Sequence, residues 1–395
     1  MRTCALFLLG AWMCCVACTS EQNSKVNINV VRADSLLNQV LALYEVKEYG
    51  LLLENYPPKE NERATYLADE TQQKTNQRVS YLWPYSGMVS GCVSLYKTTG
   101  DEKYKQLLEN RILPGLEKYW DGKREPYCYQ SYPMQFGYSD RYYDDNDWLA
   151  IDLCDYYALT KDPAVLERAK ELHRYIYSGW DEVLGGGIYW CEQKKLSKNT
   201  CSNAPATVLC MKLYNLTSDP DYLDLAKKTY RWTKENLCDP SDGVYWDNIN
   251  LEGNIAKQKY TYNSGQMIQA GVLLFQATGD STYLKDAQVT AKGAHGYFRK
   301  MQPVQGGEAM FYTSSPWFNV ILFRGLKALY EVDKNPVYVK AMMENTDYAW
   351  KETRDEHGLL NGDWSGNHKD EHKWLLNNAC MVEMYSEAAQ LDGDL

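Results

Sequence analysis

The chain has 395 residues, with 24% charged and 45% apolar side chains, the balance of a folded chain rather than a disordered one. Its net charge of −10 excludes a protein that grips nucleic acid through a basic stripe. Beyond the first 20 residues no apolar run is long enough to span a membrane.

The N-terminus reads as an address. Arg2 precedes an apolar run, Ala5 to Ala17, of signal-peptide length. Cys15-Val16-Ala17-Cys18 resembles a lipobox, which makes residues 1–17 the signal peptide and Cys18 the lipidated first residue of a protein held in the outer membrane, on its cell-surface or periplasmic face. The alternative is cleavage after Ala17 and release. Residues 18–30 are polar and read as a tether, and 31–395 as one catalytic domain. A polar break at Tyr56-Pro57-Pro58-Lys59-Glu60 follows too short a segment to close a separate domain.

From residue 31 a phrase recurs: an apolar helix end, then Thr or a substitute, then an acidic or amide residue that opens a new helix. It appears as Thr99-Gly100-Asp101, Thr160-Lys161-Asp162, Thr217-Ser218-Asp219, Thr278-Gly279-Asp280 and Asp333-Lys334-Asn335. The spacings of 61, 57, 61 and 55 residues suit a pair of helices with loops. Asp162, Asp219 and Asn335 are each followed by Pro, predicting N-caps with Pro in the first turn. After Asp162 the apolar stripe Val165, Leu166, Ala169, Leu172, His173, Ile176 has helical period and places His173 in the core. Gly-flanked pieces at Gly185–Trp190 and Gly243–Trp246 read as small hairpins. Five junctions leave room for six helix pairs, either an all-α (α/α)6 barrel with short hairpins in its loops or an open superhelix.

Chemistry concentrates at Arg141-Tyr142-Tyr143-Asp144-Asp145-Asn146-Asp147-Trp148. Two adjacent carboxylates facing one cleft would split their pKa values, leaving an ionised nucleophile beside a protonated acid, as a retaining glycosidase requires. The same acids could simply cap a helix. The 33 tyrosines and 12 tryptophans, against 7 phenylalanines, suit a sugar cleft and equally a large core. No H-E-x-x-H, G-x-S-x-G or Walker pattern occurs, and His368 and His372 lie in a charged stretch and read as solvated. Eight cysteines follow Cys18, none in a C-x-x-C pair, and no cysteine–histidine spacing suggests zinc, so neither metal nor cofactor is expected. Export permits disulfides, and Cys191 with Cys201 is the nominated pair.

The stretch Arg141–Leu149 resembles the catalytic signature of glycoside hydrolase family 76, the α-1,6-mannanases, in a Bacteroidetes-type lipoprotein form. Tyr81–Gly87, Leu184–Gln193, Lys198–Ala206 and Tyr262–Met267 resemble that family too, so the likeness runs over roughly residues 35 to 390. It implies an (α/α)6 barrel, working as a monomer, that hydrolyses α-1,6-linked mannan with retention, Asp144 as nucleophile and Asp145 as general acid/base. Asp147 departs from the family pattern, as a third acid that could raise its neighbour's pKa or face solvent. Trp83, Tyr143, Trp190 and Tyr262 are then the stacking candidates, and Asn203 and Gln266 the candidates to bond sugar hydroxyls. Sugar 2-epimerases and unsaturated glucuronyl hydrolases share the barrel, and five scattered histidines fit an epimerase poorly. A glycan-binding surface lipoprotein without catalysis is the reading from a different class, which intact Asp144 and Asp145 disfavour.

Overall fold

The computed structural model describes residues 27–60, 63–68, 77–393 and 395. Twelve helical segments among them form six antiparallel pairs. The chain runs α1 (Ile28–Leu43), α2 (Leu82–Thr99), α3 (102–119, through a π-turn at Leu108–Ile112), α4 (Tyr143–Thr160), α5 (Pro163–Tyr177) and α6 (Thr200–Thr217). It continues with α7 (Pro220–Leu237), α8 (Thr261–Thr278), α9 (Ser281–Phe298), α10 (Pro316–Asp333), α11 (Val337–Glu352) and α12 (Leu375–Ala389). The even-numbered helices form an inner ring in which each packs on the next and α12 packs on α2. The ring is closed, an (α/α)6 barrel and not a superhelix. The first helix packs outside the last, so the sixth pair joins the two ends of the chain. Residues 28–30, expected in the tether, are the first turn of α1, capped by the Asn27 side chain. Cys18 and residues 1–26 lie outside the described residues.

Inner and outer helices differ in sequence because they differ in surroundings. The inner α2 is buried on nearly every side, whereas α5 buries one stripe, Ala169, Leu172, His173, Tyr175 and Ile176, as its periodicity predicts. Close packing inside the ring needs glycine: a Cβ on Gly325 of α10 would stand 2.1 Å from the Gly265 carbonyl of α8.

The recurring phrase is a corner between helices. Thr99, Thr160, Thr217 and Thr278 each donate a hydroxyl bond to the carbonyl four residues back and accept the N–H of the Asp two residues on. That Asp then accepts the N–H two residues into the next helix. The residue between them lies in the left-handed region, φ 60° at Lys161 and 64° at Gly100. At the fifth corner Asp333 takes the place of Thr, accepting the Asn335 N–H. There the helix opens one residue later than predicted: Pro336 is the cap, and Asn335 still accepts the Val337 N–H.

The corners lie at one end of the barrel. The longer connections lie at the other, where the inner helices begin, and carry the strands. Ser197–Asn199, Trp246–Asn250 and Ile255–Lys259 form an antiparallel sheet. The hairpin Arg299–Val304 with Gly307–Tyr312 was not foreseen, its alternation being broken by Pro303. Inside the barrel, below this mouth, Arg324 bridges Asp152 and Glu383, and Lys327 pairs with Glu387.

Candidate active site

Because the inner helices start at the mouth, the first turns of five of them, α2, α4, α6, α8 and α10, converge on one cavity of about 470 Å³. Asp144 and Asp145, in the first turn of α4, both line it. The Trp190 indole N–H donates to Asp144 Oδ2 at 3.1 Å, and the Asp145 backbone N–H to Oδ1 at 3.1 Å. The Cys201 thiol of α6 donates to the same carboxylate. Burial pushes the Asp144 carboxyl up, to about 7, against these donors, which favour its charged form. Asp145 has no such donors among the described residues. Burial, then the charge of Asp144, push it well above the usual carboxylate range. The two neighbours therefore divide, with Asp144 the readier to ionise.

Asp147, one turn further along α4, does not face solvent. It is fully buried, neither carboxylate oxygen has a hydrogen-bond partner among the described residues, and burial followed by the charge of Asp144 pushes it well above the usual range. Both effects favour the neutral acid in the folded protein.

Trp83, Trp190 and Tyr262 line the cavity. Its floor is aromatic: the Trp317 ring meets Trp148 at 5.1 Å, Trp83 at 5.2 Å and Tyr262 at 5.8 Å. Three of the expected contacts are corrected. Tyr143 points away from the cavity, because one helical step turns it about 100° from Asp144; its ring stacks on Tyr175 at 4.9 Å and is 1% exposed. Asn203 is fully buried and clamps backbone, accepting the Ile188 N–H and donating to the Ile188 and Asn199 carbonyls. Gln266 lies one turn beneath Tyr262, buried, with its amide donating to Gln269. The nominated Cys191–Cys201 disulfide is absent: both thiols are free and buried, Cys201 held at Asp144.

The Asn203 clamp repeats around the mouth. Asn146 binds the Tyr129 backbone, Asn319 donates to the Tyr312 and Ser314 carbonyls, and Asn378 accepts the Leu360 N–H. Each stands in the first turns of an inner helix and ties down the loop that leads into it.

Other lining residues were missed by sequence reasoning. Asp247 and Asn248 enter from the strand Trp246–Asn250, just past the piece Gly243–Trp246 read as a hairpin, and Asn248 donates to Asp247 at 2.8 Å. Burial raises the Asp247 carboxyl. Tyr66 and Phe318 belong to loop and helix stretches with no motif. Among the described residues the lining offers aromatic faces, hydroxyl and amide groups and three carboxyls without a Lys or Arg, which suits an uncharged polyol better than an anion. Among the described residues no cluster of His, Cys, Asp and Glu could hold a metal.

A family model described as Glycosyl hydrolase family 76 matches residues 32–392. The chain belongs to that family. A family 76 glycoside hydrolase from a bovine Bacteroides thetaiotaomicron strain superimposes with a TM-score of 0.80 at 31% identity, over 92% of this chain and 78% of that one. An inactive variant of an α-1,6-mannanase of Salegentibacter sp., altered at two consecutive aspartates and bound to α-1,6-mannotriose, superimposes with a TM-score of 0.72 at 26% identity over 92% and 99% of the two chains. The mannan endo-1,6-alpha-mannosidase DCW1 of Candida glabrata is 30% identical over 116 residues, 26% of each chain. The chain thus spans about a quarter of that curated relative. Family 76 membership accounts for the closed ring.

Proposed function

We propose that the protein is a retaining endo-α-1,6-mannanase. The observation that carries the reading is the unequal environment of two neighbouring acids in one aromatic-lined cavity: hydrogen-bond donors gather on Asp144, and among the described residues none reaches Asp145. Donors stabilise a carboxylate, so Asp144 is the nucleophile; a desolvated acid beside that charge keeps its proton, so Asp145 is the general acid. Asp145 protonates the O6 leaving oxygen as Asp144 attacks C1 of the mannose in the −1 position, giving a covalent glycosyl-enzyme. Asp145, now ionised, takes a proton from water, which displaces Asp144 with net retention. Trp83, Trp190 and Tyr262 provide ring faces for the sugar. The inactive Salegentibacter variant with consecutive aspartates altered, holding an α-1,6-mannooligosaccharide, supports both the substrate class and the acid pair.

Cys18 would anchor the exported protein by lipid, as a monomer acting on neutral α-mannan. Incubation of purified protein with linear α-1,6-mannan tests the activity: internal cleavage yields a ladder of oligosaccharides whose new reducing ends are α, whereas no release of sugar overturns it. Partition of the expressed protein with membranes, lost in Cys18→Ala, tests the anchor.

A further inference from the structure

Arg141, Glu192 and Gln193 belong to the signature-like stretches Arg141–Leu149 and Leu184–Gln193, yet none of them lines the cavity. The two stretches meet beside it. Residues 141–143 and 190–192 run antiparallel as a short ladder: Tyr142 bridges Cys191, the Tyr143 N–H donates to the Trp190 carbonyl at 3.0 Å, and the Glu192 N–H to the Arg141 carbonyl at 3.0 Å. One side of this clasp runs into α4 and delivers Asp144. The other delivers Trp190, whose indole N–H donates to Asp144 Oδ2.

A two-stranded ladder this short does not hold its register by backbone bonds alone. Side chains lock it. Arg141 Nε and Nη2 donate to the two oxygens of Glu192, a fork upon a fork, and the Gln193 amide oxygen accepts the Arg141 backbone N–H at 2.7 Å. Arg141 is itself pinned. Its side chain is buried, and Nη1 donates to the carbonyls of Arg124 at 2.7 Å and Pro126 at 3.2 Å and faces Asp121 at 3.4 Å. The guanidinium stands 5.3 Å from the Tyr175 ring, on which Tyr143 stacks. The Glu192 carboxylate therefore passes a fixed point in the barrel wall to the loop that carries Trp190.

We propose that Glu192 is a positioning residue for the nucleophile: paired with the buried Arg141, it holds the Trp190 N–H on the Asp144 carboxylate. The proposal rests on the mannanase reading, in which Asp144 attacks the sugar, and adds to it the group that keeps Asp144 supplied with its donor. Slack in the clasp lengthens the bond from Trp190 and leaves the charged form of Asp144 less stabilised. The Asn203 clamp acts elsewhere, on Ile188, and does not join the loop to the strand that becomes α4.

The test follows kcat/KM on linear α-1,6-mannan against pH for wild type, Glu192→Gln, Trp190→Phe and the double variant. In Glu192→Gln an amide N–H faces a guanidinium N–H, so the fork opens with little change of shape. The acidic limb should move to higher pH, with activity at pH 6 falling by about 3- to 10-fold, the size of one weakened hydrogen bond. In the double variant the limb should stand where Trp190→Phe alone puts it, because both changes act on one bond. A second readout needs no substrate: the Trp190 indole N–H resonance of ¹⁵N-labelled protein, identified by its loss in Trp190→Phe, should move upfield in Glu192→Gln. Should Glu192→Gln fail to give a cooperative melting curve, Gln193→Ala, at an exposed position, loosens the same clasp and should give both shifts in smaller size. A folded variant with limb and resonance at their wild-type places overturns the proposal, as does a limb moved equally whether residue 190 is Trp or Phe. Wild type that releases no sugar overturns the mannanase reading, and the indole resonance then still decides whether Glu192 sets the contact with Asp144.

Discussion

The indole N–H of Trp190 points at Asp144 and reaches its Oδ2 at 3.1 Å, while Asp145, the next residue, receives no donor among the described residues. This bond favours the ionised carboxylate, so it has a kinetic signature. The acidic limb of the pH profile of kcat/KM reports ionisation of the acid pair and should lie well above the ordinary Asp value, near 7. Trp190→Phe keeps a ring and deletes the donor, so the Asp144 carboxyl rises further and the limb moves to higher pH. A charge-assisted bond is worth about 1.5–3 kcal/mol, so the activity at pH 6 falls by about 10-fold or more. A profile that keeps its midpoint in Trp190→Phe would refute the role given to this contact.

The two acids are separable by leaving group. A mannose O6 alkoxide is a strong base and needs a proton from Asp145, whereas the phenol of an activated aryl mannoside departs unaided. Asp144→Ala should abolish turnover of both substrates. Asp145→Ala should lose polymer hydrolysis yet retain the first step on the aryl mannoside, with a gap of about 10² to 10⁴ between them. Glycosyl-enzyme then accumulates, and azide, which needs no general base, speeds its breakdown. Equal losses on the two substrates would count against the assignment.

Asp147 makes a prediction about stability. Its carboxyl is raised in the folded state, so between the unfolded and the folded value the folded protein holds a proton that the unfolded chain releases. Stability therefore falls as pH rises above the unfolded value near 3.9, by about 1.4 kcal/mol per unit until the folded value is reached. Asp147→Asn removes this dependence. Its melting temperature should exceed wild type at pH 8, and the difference should shrink toward pH 4. A variant with the wild-type pH slope would show that Asp147 is charged when folded.

Asn203→Ala should damage the frame and spare the chemistry. It leaves the Ile188 N–H and two carbonyls without their partner, at a cost of about 1–3 kcal/mol. Thermal unfolding reads that loss. KM for mannan at a temperature well below the transition should stay at its wild-type value; a raised KM with normal stability would restore Asn203 to sugar contact.

The parts legible from sequence are those set by local rules. Thr-x-Asp corners recur because one hydroxyl and one carboxylate complete a helix end and a helix start in four residues, so the period and the number of pairs could be counted. Asp144 and Asp145 stood out because adjacent acids are rarely placed together without a use. Direction was harder. Tyr143 is adjacent to Asp144 in sequence and on the other side of the helix, and Asn203 sits in a motif-like stretch whose amide is consumed by backbone. Asp247 reaches the cavity from a short strand and Tyr66 from a loop, and in both the side-chain position follows from tertiary contacts that no periodicity encodes.

The pairing of α1 with α12 sets the end of the barrel at which the described chain begins. Asn27 donates to the carbonyl of Ala389, at the last turn of α12, and Asn29 to Asp392 just beyond it. The first described residues therefore lie at the floor of the barrel, while α12 begins at its mouth, where the Leu375 N–H meets the Glu54 carbonyl. Eight residues lie between Cys18 and Asn27, a reach of at most about 30 Å. A lipid on Cys18 would tie the barrel down by its floor, leave the sugar-binding face turned outward, and let a polymer too large to slip beneath the protein thread across it from the open medium.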